Sequence, residues 1–235
     1  MGLLLYAATI LRYPVAKAYY ILKFYCRLCS ELALGGKQLD DLLPVWKSIE
    51  PALDDWADYC IQNTPVHPRK RDDPFQHIIV TDASAQGFGA LYWCQELNKV
   101  VSHWQAWPTR RTDGSCSFEM DGMIESARFF LPPQTRDEVL LINDNVAAVE
   151  ALQRGYSYSY NLNTKLNILN QLFPYHNITA KHMAGELLTI PDSLSRMKKE
   201  VFTDQQLRRF MEQAAGRFER TEWLVGNQRQ HDVYP

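Results

Sequence analysis

The sequence predicts an α/β protein in which helices flank one mixed five-stranded sheet. Apolar residues recur at helical spacing in the first 62 residues, and β-rich apolar runs replace this pattern from residue 76 onward. These runs and the helical segments between them follow in the order βββαβαβα. A strand that returns after a helical crossover normally pairs in parallel, so the sheet should contain both antiparallel and parallel pairs.

The first part of the chain is predicted to be helical. Helical patterns cover residues 3–10, 16–34 and 40–60. We therefore expect a small helical region over residues 1–63. The segment that follows, residues 64–74, combines prolines with a run of five charged residues and is typical of a linker.

The sheet domain is expected over residues 75–198. Its strands are marked by β-branched and aromatic residues and are expected at residues 77–82, 89–94, 100–107, 138–144 and 177–183. Its helices are marked by apolar residues at helical spacing and are expected at residues 119–131, 145–154, 162–173 and from 191 onward. Short polar connections between the first three strands favour an antiparallel meander. Residues 199–235 should form a C-terminal helix and a polar tail.

The composition, with 46% hydrophobic and 22% charged residues, is that of an ordinary globular protein. The formal net charge of -2 gives no sign of a nucleic-acid binder. Residues 73–196, however, hold 9 Lys and Arg against 13 Asp and Glu, a net charge of 9 - 13 = -4. Such an acidic region fits either a solvated surface or carboxylates that bind cations.

The cysteines and the N-terminus bear on the cellular compartment. Five cysteines are an odd and sparse number for this length, which favours an intracellular reducing compartment, either cytoplasm or nucleus. The apolar N-terminal stretch is interrupted by Arg12 and Lys17 before it could span a bilayer. No membrane partner is expected.

Four acidic residues occupy positions where strands meet helices. Asp82 ends a continuously apolar strand, and Asp144 ends another that runs into a helix. Glu119 opens a helix, with small residues three and seven positions later that allow close packing on a sheet. Asp192 begins the last helix of the domain. Because burying Asp82 without a partner would be very unfavourable, its carboxylate should face a cleft at the edge of the sheet.

Each acid also has an ordinary structural explanation. Asp82 could cap the turn after its strand, and Asp144 and Asp192 could cap helices. Glu119 could complement a helix dipole, and Asp121 competes with it because the two side chains cannot point the same way. Four such acids in one sheet domain favour a shared site instead. Hard carboxylate oxygens suit Mg²⁺, and two divalent cations about 4 Å apart can promote phosphodiester hydrolysis.

The acids lie within short motifs: TDAS at residues 81–84, Glu119, Asp144-Asn145, and the HMAG and LSR segments on either side of Asp192. Together these motifs resemble the ribonuclease H domain attached to retroelement reverse transcriptases. The LSR ending and the Asp-Asn pair are most similar to the DIRS-like, tyrosine-recombinase branch, with the gypsy-like group next. The helical N-terminal segment is similar, more loosely, to the thumb or connection region that precedes this domain.

The resemblance implies an endonuclease that cleaves the RNA strand of RNA:DNA hybrids by a two-metal-ion mechanism. It implies that two Mg²⁺ ions, which Mn²⁺ could replace, are bound by Asp82, Glu119, Asp144 and Asp192, with Asp82 bridging both. Glu119 would also approach the ribose 2′-hydroxyl, the group that distinguishes RNA from DNA.

A histidine and a protein partner are implied as well. His182 would be a mobile histidine that transfers a proton or assists product release, and His176 is a weaker candidate. The expected partners are the RNA:DNA hybrid and the polymerase portion of a reverse transcriptase. The chain lacks a Tyr-x-Asp-Asp motif, so polymerase activity is not expected of it.

The sequence departs from the family pattern at three places. Leu188 stands where relatives carry Asn, and Pro191 where they carry Ala. The YSYSY tract between two predicted helices leaves no room for the extra basic helix with which some relatives hold the hybrid, so we expect weak hybrid binding by this chain alone. Two other functions stay open: an inactive scaffold of the same fold, and a DNA nuclease of the integrase or resolvase kind.

Overall fold

The computed structural model describes residues 2–11, 13–42, 44–62, 74–198 and 200–218. Except for Pro74, the predicted linker at residues 64–74 lies outside these ranges, as does the tail beyond residue 218. The chain forms two compact units, Met1–Asp73 with Glu150–Pro174 and Pro74–Val149 with Tyr175–Pro235. Within the described ranges, none of the helices is long and apolar enough to cross a membrane.

The regular elements follow the predicted order. In chain order they are α1 (Gly2–Leu11), α2 (Tyr19–Ala33), α3 (Glu50–Gln62), β1 (His77–Ala83), β2 (Gly87–Cys94), β3 (Lys99–Ala106), α4 (Ser115–Phe130), β4 (Glu138–Asn143), α5 (Val146–Arg154), α6 (Tyr160–Leu172), β5 (Asn177–His182), α7 (Thr189–Ser195) and α8 (Asp204–Gly216). Short 3₁₀ helices lie at Val15–Ala18 and Gly185–Leu187.

The sheet has the strand order β3-β2-β1-β4-β5. The strands β1, β2 and β3 pair antiparallel, whereas β4 pairs in parallel with β1 on one side and with β5 on the other. The predicted mixed five-stranded sheet with flanking helices is therefore confirmed. Because β1, β4 and β5 are parallel, their carboxyl ends meet at one edge of the sheet.

The two faces of the sheet are covered by different helices. On one face, Ile78 and Val80 of β1 are buried in a cluster with residues of α7 and α8. On the opposite face, α4 approaches so closely that a Cβ on Gly122 would lie 3.1 Å from the Cβ of Ala83. Gly122, three residues after Glu119, thus allows the close packing that the sequence predicts.

The other unit has its own apolar core. Ala8, Tyr13, Ala18, Ile21 and Ile49 are buried together there. The apolar face predicted for α6 is also buried, and consists of Leu162, Leu166 and Leu169, followed by Phe173.

Two helix starts differ from the predictions by four residues or more. The helix predicted from residue 40 begins only at Glu50, because Pro44 opposes a helical conformation on its N-terminal side. The helix predicted from Glu119 begins instead at Ser115, after an extended Gly114. The first turn contains Ser115 and Ser117, and serine is a weak helix former, so the sequence signal for a helix is weak there.

Candidate active site

Asp82 lies near the end of β1 and is buried, with 6% of its surface exposed. The explanation that it caps the following turn does not hold, because Ser84 does so: its Oγ accepts hydrogen bonds from the amides of Gln86 and Gly87. The Asp82 carboxylate turns toward α7 instead. There its Oδ2 accepts a hydrogen bond of 2.6 Å from the hydroxyl of Ser195.

Glu119 is equally buried and extends from α4 toward the end of β1. Its Oε2 accepts hydrogen bonds from the Ala83 amide at 3.0 Å and from Asn143 Nδ2 at 2.9 Å. Since α4 starts at Ser115, Glu119 is beyond the first turn, and a role in complementing the helix dipole is not needed to explain it.

Asp144 follows β4 and is half-buried. It does not cap α5, because the side chain of Asn145 accepts the hydrogen bond from the Ala148 amide. The carboxylate is left to face the loop after β5. Gly185 permits that approach, since a Cβ there would lie only 2.7 Å from Asp144 Oδ2.

The carboxyl groups of Asp82, Glu119 and Asp144 converge, each offering an oxygen within 4.8 Å of the others. They line an open cavity of about 440 Å³. Burial raises the pKa of Asp82 to about 6. Burial, reinforced by the nearby Asp82 carboxylate, raises the pKa of Glu119 to about 9. The three acids thus form an electrostatically strained cluster.

Asp192 lines the same cavity but is not part of this three-acid cluster. It lies in the first turn of α7, and its carboxylate pairs with Arg196 at 2.5 Å and with Lys198 at 3.7 Å. The structure therefore brings three of the four predicted acids together. The fourth, Asp192, lies at the same cavity in contact with the side chains of Arg196 and Lys198.

The two histidines lie at opposite ends of β5. His182 is exposed and pairs in register with Asn143, next to Asp144. Burial raises the pKa of Asp144, and the nearby His182 partly opposes that rise. His176 lies before the start of β5, where Thr135 contacts its ring nitrogen at 3.2 Å. Only His182 is therefore on the side of the acidic cluster.

Asp121, the rival of Glu119, points elsewhere. Its carboxylate forms an ion pair of 2.8 Å with Arg111. It does not belong to the three-acid cluster.

Sequence reasoning missed the residues that hold these acids in place. Asn143 is fully buried and donates from one amide nitrogen to Glu119 and to the Thr81 carbonyl. A polar residue at the end of an otherwise apolar strand was a usable signal for Asn143. Ser195 and Arg196 belong to the LSR motif. This motif carries part of the family resemblance, but it does not predict the contacts of the two side chains with Asp82 and Asp192.

The donor set fits divalent cations of the magnesium type. It consists of hard carboxylate oxygens without a cysteine ligand. Among the described residues, hydrogen bonds engage one oxygen each of Asp82 and Glu119, so the other oxygen is available to a cation.

The departure at Leu188 does not disturb these acids, because its side chain is fully buried in the apolar cluster beneath α7.

Comparison with protein-family models finds no match, and comparison with curated proteins finds none either. Among solved structures, the N-terminal ribonuclease H domain of a Mycobacterium tuberculosis protein, fused to maltose-binding protein, is 19% identical with a TM-score of 0.40, over 53% of this chain and 98% of that one. Ribonuclease H1 of Halobacterium salinarum is 15% identical with a TM-score of 0.39, over 50% of this chain and 91% of that one.

A foamy viral protease-reverse transcriptase in complex with an RNA/DNA hybrid is also similar. It is 10% identical with a TM-score of 0.37, and the match covers 75% of this chain and 32% of that one.

Proposed function

We propose that the chain is a ribonuclease H that hydrolyses the RNA strand of RNA:DNA hybrids with two divalent cations. One observation supports it above all: Asp82, Glu119 and Asp144 converge within 4.8 Å beside an open cavity. Buried carboxylates this close repel one another when ionised, and bound cations offset that repulsion. When bound, Mg²⁺ or Mn²⁺ supplies an activated water and stabilises the leaving oxygen of an in-line displacement.

The chain's own residues have distinct parts in this proposal. Asp82, Glu119 and Asp144 would hold the cations, and Asp192, which lines the same cavity and pairs with Arg196, would be the fourth ligand. Glu119 also faces the ribose 2′-hydroxyl of the RNA strand. His182, exposed beside Asp144, accepts or donates a proton as the product leaves.

The molecular context is a further part of the proposal. The chain would be the C-terminal part of a retroelement reverse transcriptase of the DIRS-like or gypsy-like kind, acting beside its polymerase portion. A helical thumb or connection-like region would precede the nuclease domain. The support for this context is the motif resemblance, chiefly the Asp-Asn pair and the LSR segment.

The proposal is tested by offering the chain several duplexes. Hybrid, double-stranded RNA and duplex DNA are incubated with Mg²⁺ or Mn²⁺ and the chain, alongside Asp82→Asn and Asp144→Asn. We expect cleavage of the RNA strand of the hybrid only, and its loss in both variants. Cleavage that survives either substitution would exclude the carboxylate cluster as the site.

The same assay separates the two alternative functions. Cleavage of duplex DNA in preference to hybrid would indicate a nuclease of the integrase or resolvase kind. A folded chain that cleaves none of the three duplexes with either cation would indicate an inactive scaffold. The retention of three convergent acids favours the active enzyme, because a scaffold gains nothing from their mutual repulsion.

A further inference from the structure

The hydroxyl of Ser195 is the side-chain donor to Asp82 among the described residues. It is fully buried and lies 2.6 Å from Asp82 Oδ2. The same hydroxyl is 3.0 Å from the carbonyl of Asp192. A hydroxyl has one proton, and the shorter contact to an ionised carboxylate is the stronger hydrogen bond. Ser195 therefore donates to Asp82 whenever that group is ionised.

Ser195 is itself held firmly in place. Ser84, two residues beyond Asp82, donates from its hydroxyl to the Ser195 carbonyl at 2.8 Å. The backbone of α7 also packs directly on β2 at Gly89, where a Cβ would lie 2.6 Å from the Ser195 amide nitrogen. Because its carbonyl is hydrogen bonded and its backbone packs against β2, Ser195 has little freedom to move its hydroxyl away from Asp82.

This contact resembles the one that fixes Glu119. In each acid one oxygen is engaged by buried donors, namely the Ser195 hydroxyl for Asp82 and the Ala83 amide with Asn143 for Glu119. The second oxygen of each is left for the cavity. Donors that orient a metal-binding carboxylate in this way typically change metal affinity or activity about 10- to 100-fold when they are removed.

We propose that Ser195 is a positioning residue that fixes the orientation of the Asp82 carboxylate for cation binding. The proposal rests on the function proposed above, since it assumes that Asp82 binds divalent cations. It adds a role for the serine of the LSR segment, 113 residues away from Asp82 in the chain. The serine acts through Asp82 and does not itself bind a cation.

The test compares two serines of the same short helix. Ser195→Ala removes the donor to Asp82, whereas Ser193→Ala removes a similarly buried hydroxyl whose partner is Glu200 at 2.7 Å, outside the cluster. Mn²⁺ affinity is measured by calorimetry on the whole chain without nucleic acid, and the thermal unfolding temperature is measured in chelator. We expect Ser195→Ala to weaken Mn²⁺ binding about 10- to 100-fold, and Ser193→Ala to leave it at the wild-type value.

The outcomes separate this role from a structural one. Wild-type Mn²⁺ affinity in a folded Ser195→Ala variant would overturn the proposal, as would equal weakening in both variants, because the bond would then only join the helix to the strand. Rescue of Mn²⁺ affinity by Ser195→Thr, which restores a hydroxyl, would support positioning. If the wild type binds Mn²⁺ in a Ser195-dependent way but cleaves no hybrid, the proposed function fails and the positioning role stands.

Discussion

At the scale of single residues, the acidic cluster is defined by groups that resist ionisation. Glu119 and Asp82 are buried side by side, and burial raises both pKa values, to about 9 and about 6. Each is nevertheless hydrogen bonded in a way that suits its ionised form, with N–H or O–H donors directed at one oxygen. Hydrogen-bond donors directed at two carboxylates that repel each other when ionised are typical of a cation-binding site.

The raised pKa values predict how the cation-free protein responds to pH. The unfolded chain releases these protons near the ordinary values of 3.8 for Asp and 4.5 for Glu, whereas the folded protein keeps them to about 6 and about 9. Between these limits the folded state binds more protons, so the free energy of unfolding falls as pH rises from about 4 to about 9. Denaturant unfolding in chelator at a series of pH values measures this.

Two comparisons check that the pH effect comes from the cluster. Glu119→Gln removes the carboxyl group of the cluster whose pKa is raised most. The fall in stability between about pH 6 and about pH 9 should therefore largely disappear. Added Mg²⁺ should restore stability most at the upper end of the range, because ligands must be deprotonated to bind it. A cation-free wild type whose stability rises with pH over this interval would contradict the assignment.

Glu119 and Asp121 can be told apart by activity. Glu119→Gln should lower hybrid cleavage at least about 100-fold, because it removes a cation ligand. Asp121→Asn weakens an ion pair with Arg111 outside the cluster, and a partly exposed pair contributes little, so activity should stay within about twofold. Cleavage rates of the two variants, with circular dichroism to confirm folding, decide the matter. Loss of activity in Asp121→Asn alone would reverse the assignment.

At the scale of elements, the position of α7 depends on the absence of a side chain at one point of β2. A Cβ on Gly89 would lie 2.4 Å from the Cβ of Leu194 and 2.5 Å from the carbonyl of Pro191. Gly89→Ala must therefore displace α7, with Asp192 and Ser195 on it. We expect a loss of about 1–3 kcal/mol in the free energy of unfolding, as for other overpacked sites, together with weaker Mn²⁺ binding.

The control for that prediction is a glycine with free space around it. Gly216 ends α8, and among the described residues no heavy atom would lie within 4 Å of a Cβ added there. Gly216→Ala should therefore leave both stability and Mn²⁺ binding close to wild type. Urea unfolding and calorimetry provide the two readouts. A Gly89→Ala protein as stable as Gly216→Ala would show that α7 does not depend on this close packing.

The order and type of the elements could be predicted because hydrophobic periodicity is a local signal. The start of α4 could not, because its first turn contains Ser115 and Ser117, and serine is a weak helix former. Asp82, Asp144 and Asp192 were identifiable from their places at strand ends and at a helix start, and Glu119 from the small residues three and seven positions after it. Their supporting contacts were not, because Asn143 and Ser195 reach Glu119 and Asp82 only through the tertiary fold, across 24 and 113 residues.

At the scale of the whole molecule, the described residues include no helix between α5 and α6 that could hold a nucleic acid beside the acidic cluster. Only the short tract from Gly155 to Ser159 connects α5 to α6, and it contains no helix. The formal net charge of the chain is -2. We therefore predict weak binding of hybrid by this chain alone, since phosphate contacts dominate such binding.

Fluorescence anisotropy with a labelled hybrid, in Ca²⁺ to prevent cleavage and over a range of salt concentrations, measures that affinity. Addition of a reverse transcriptase polymerase portion should strengthen binding if the chain normally acts beside one. A tight complex of the isolated chain that is insensitive to salt would contradict the prediction.

The most direct test of the proposed activity is a single-turnover assay on a hybrid whose two strands carry different labels. The wild-type chain should cut the RNA strand, leave the DNA strand intact and stop when the divalent cation is chelated, and Glu119→Gln should be at least about 100-fold slower. Cleavage that persists in chelator, or that proceeds at the wild-type rate in Glu119→Gln, would contradict a ribonuclease H built on this carboxylate cluster.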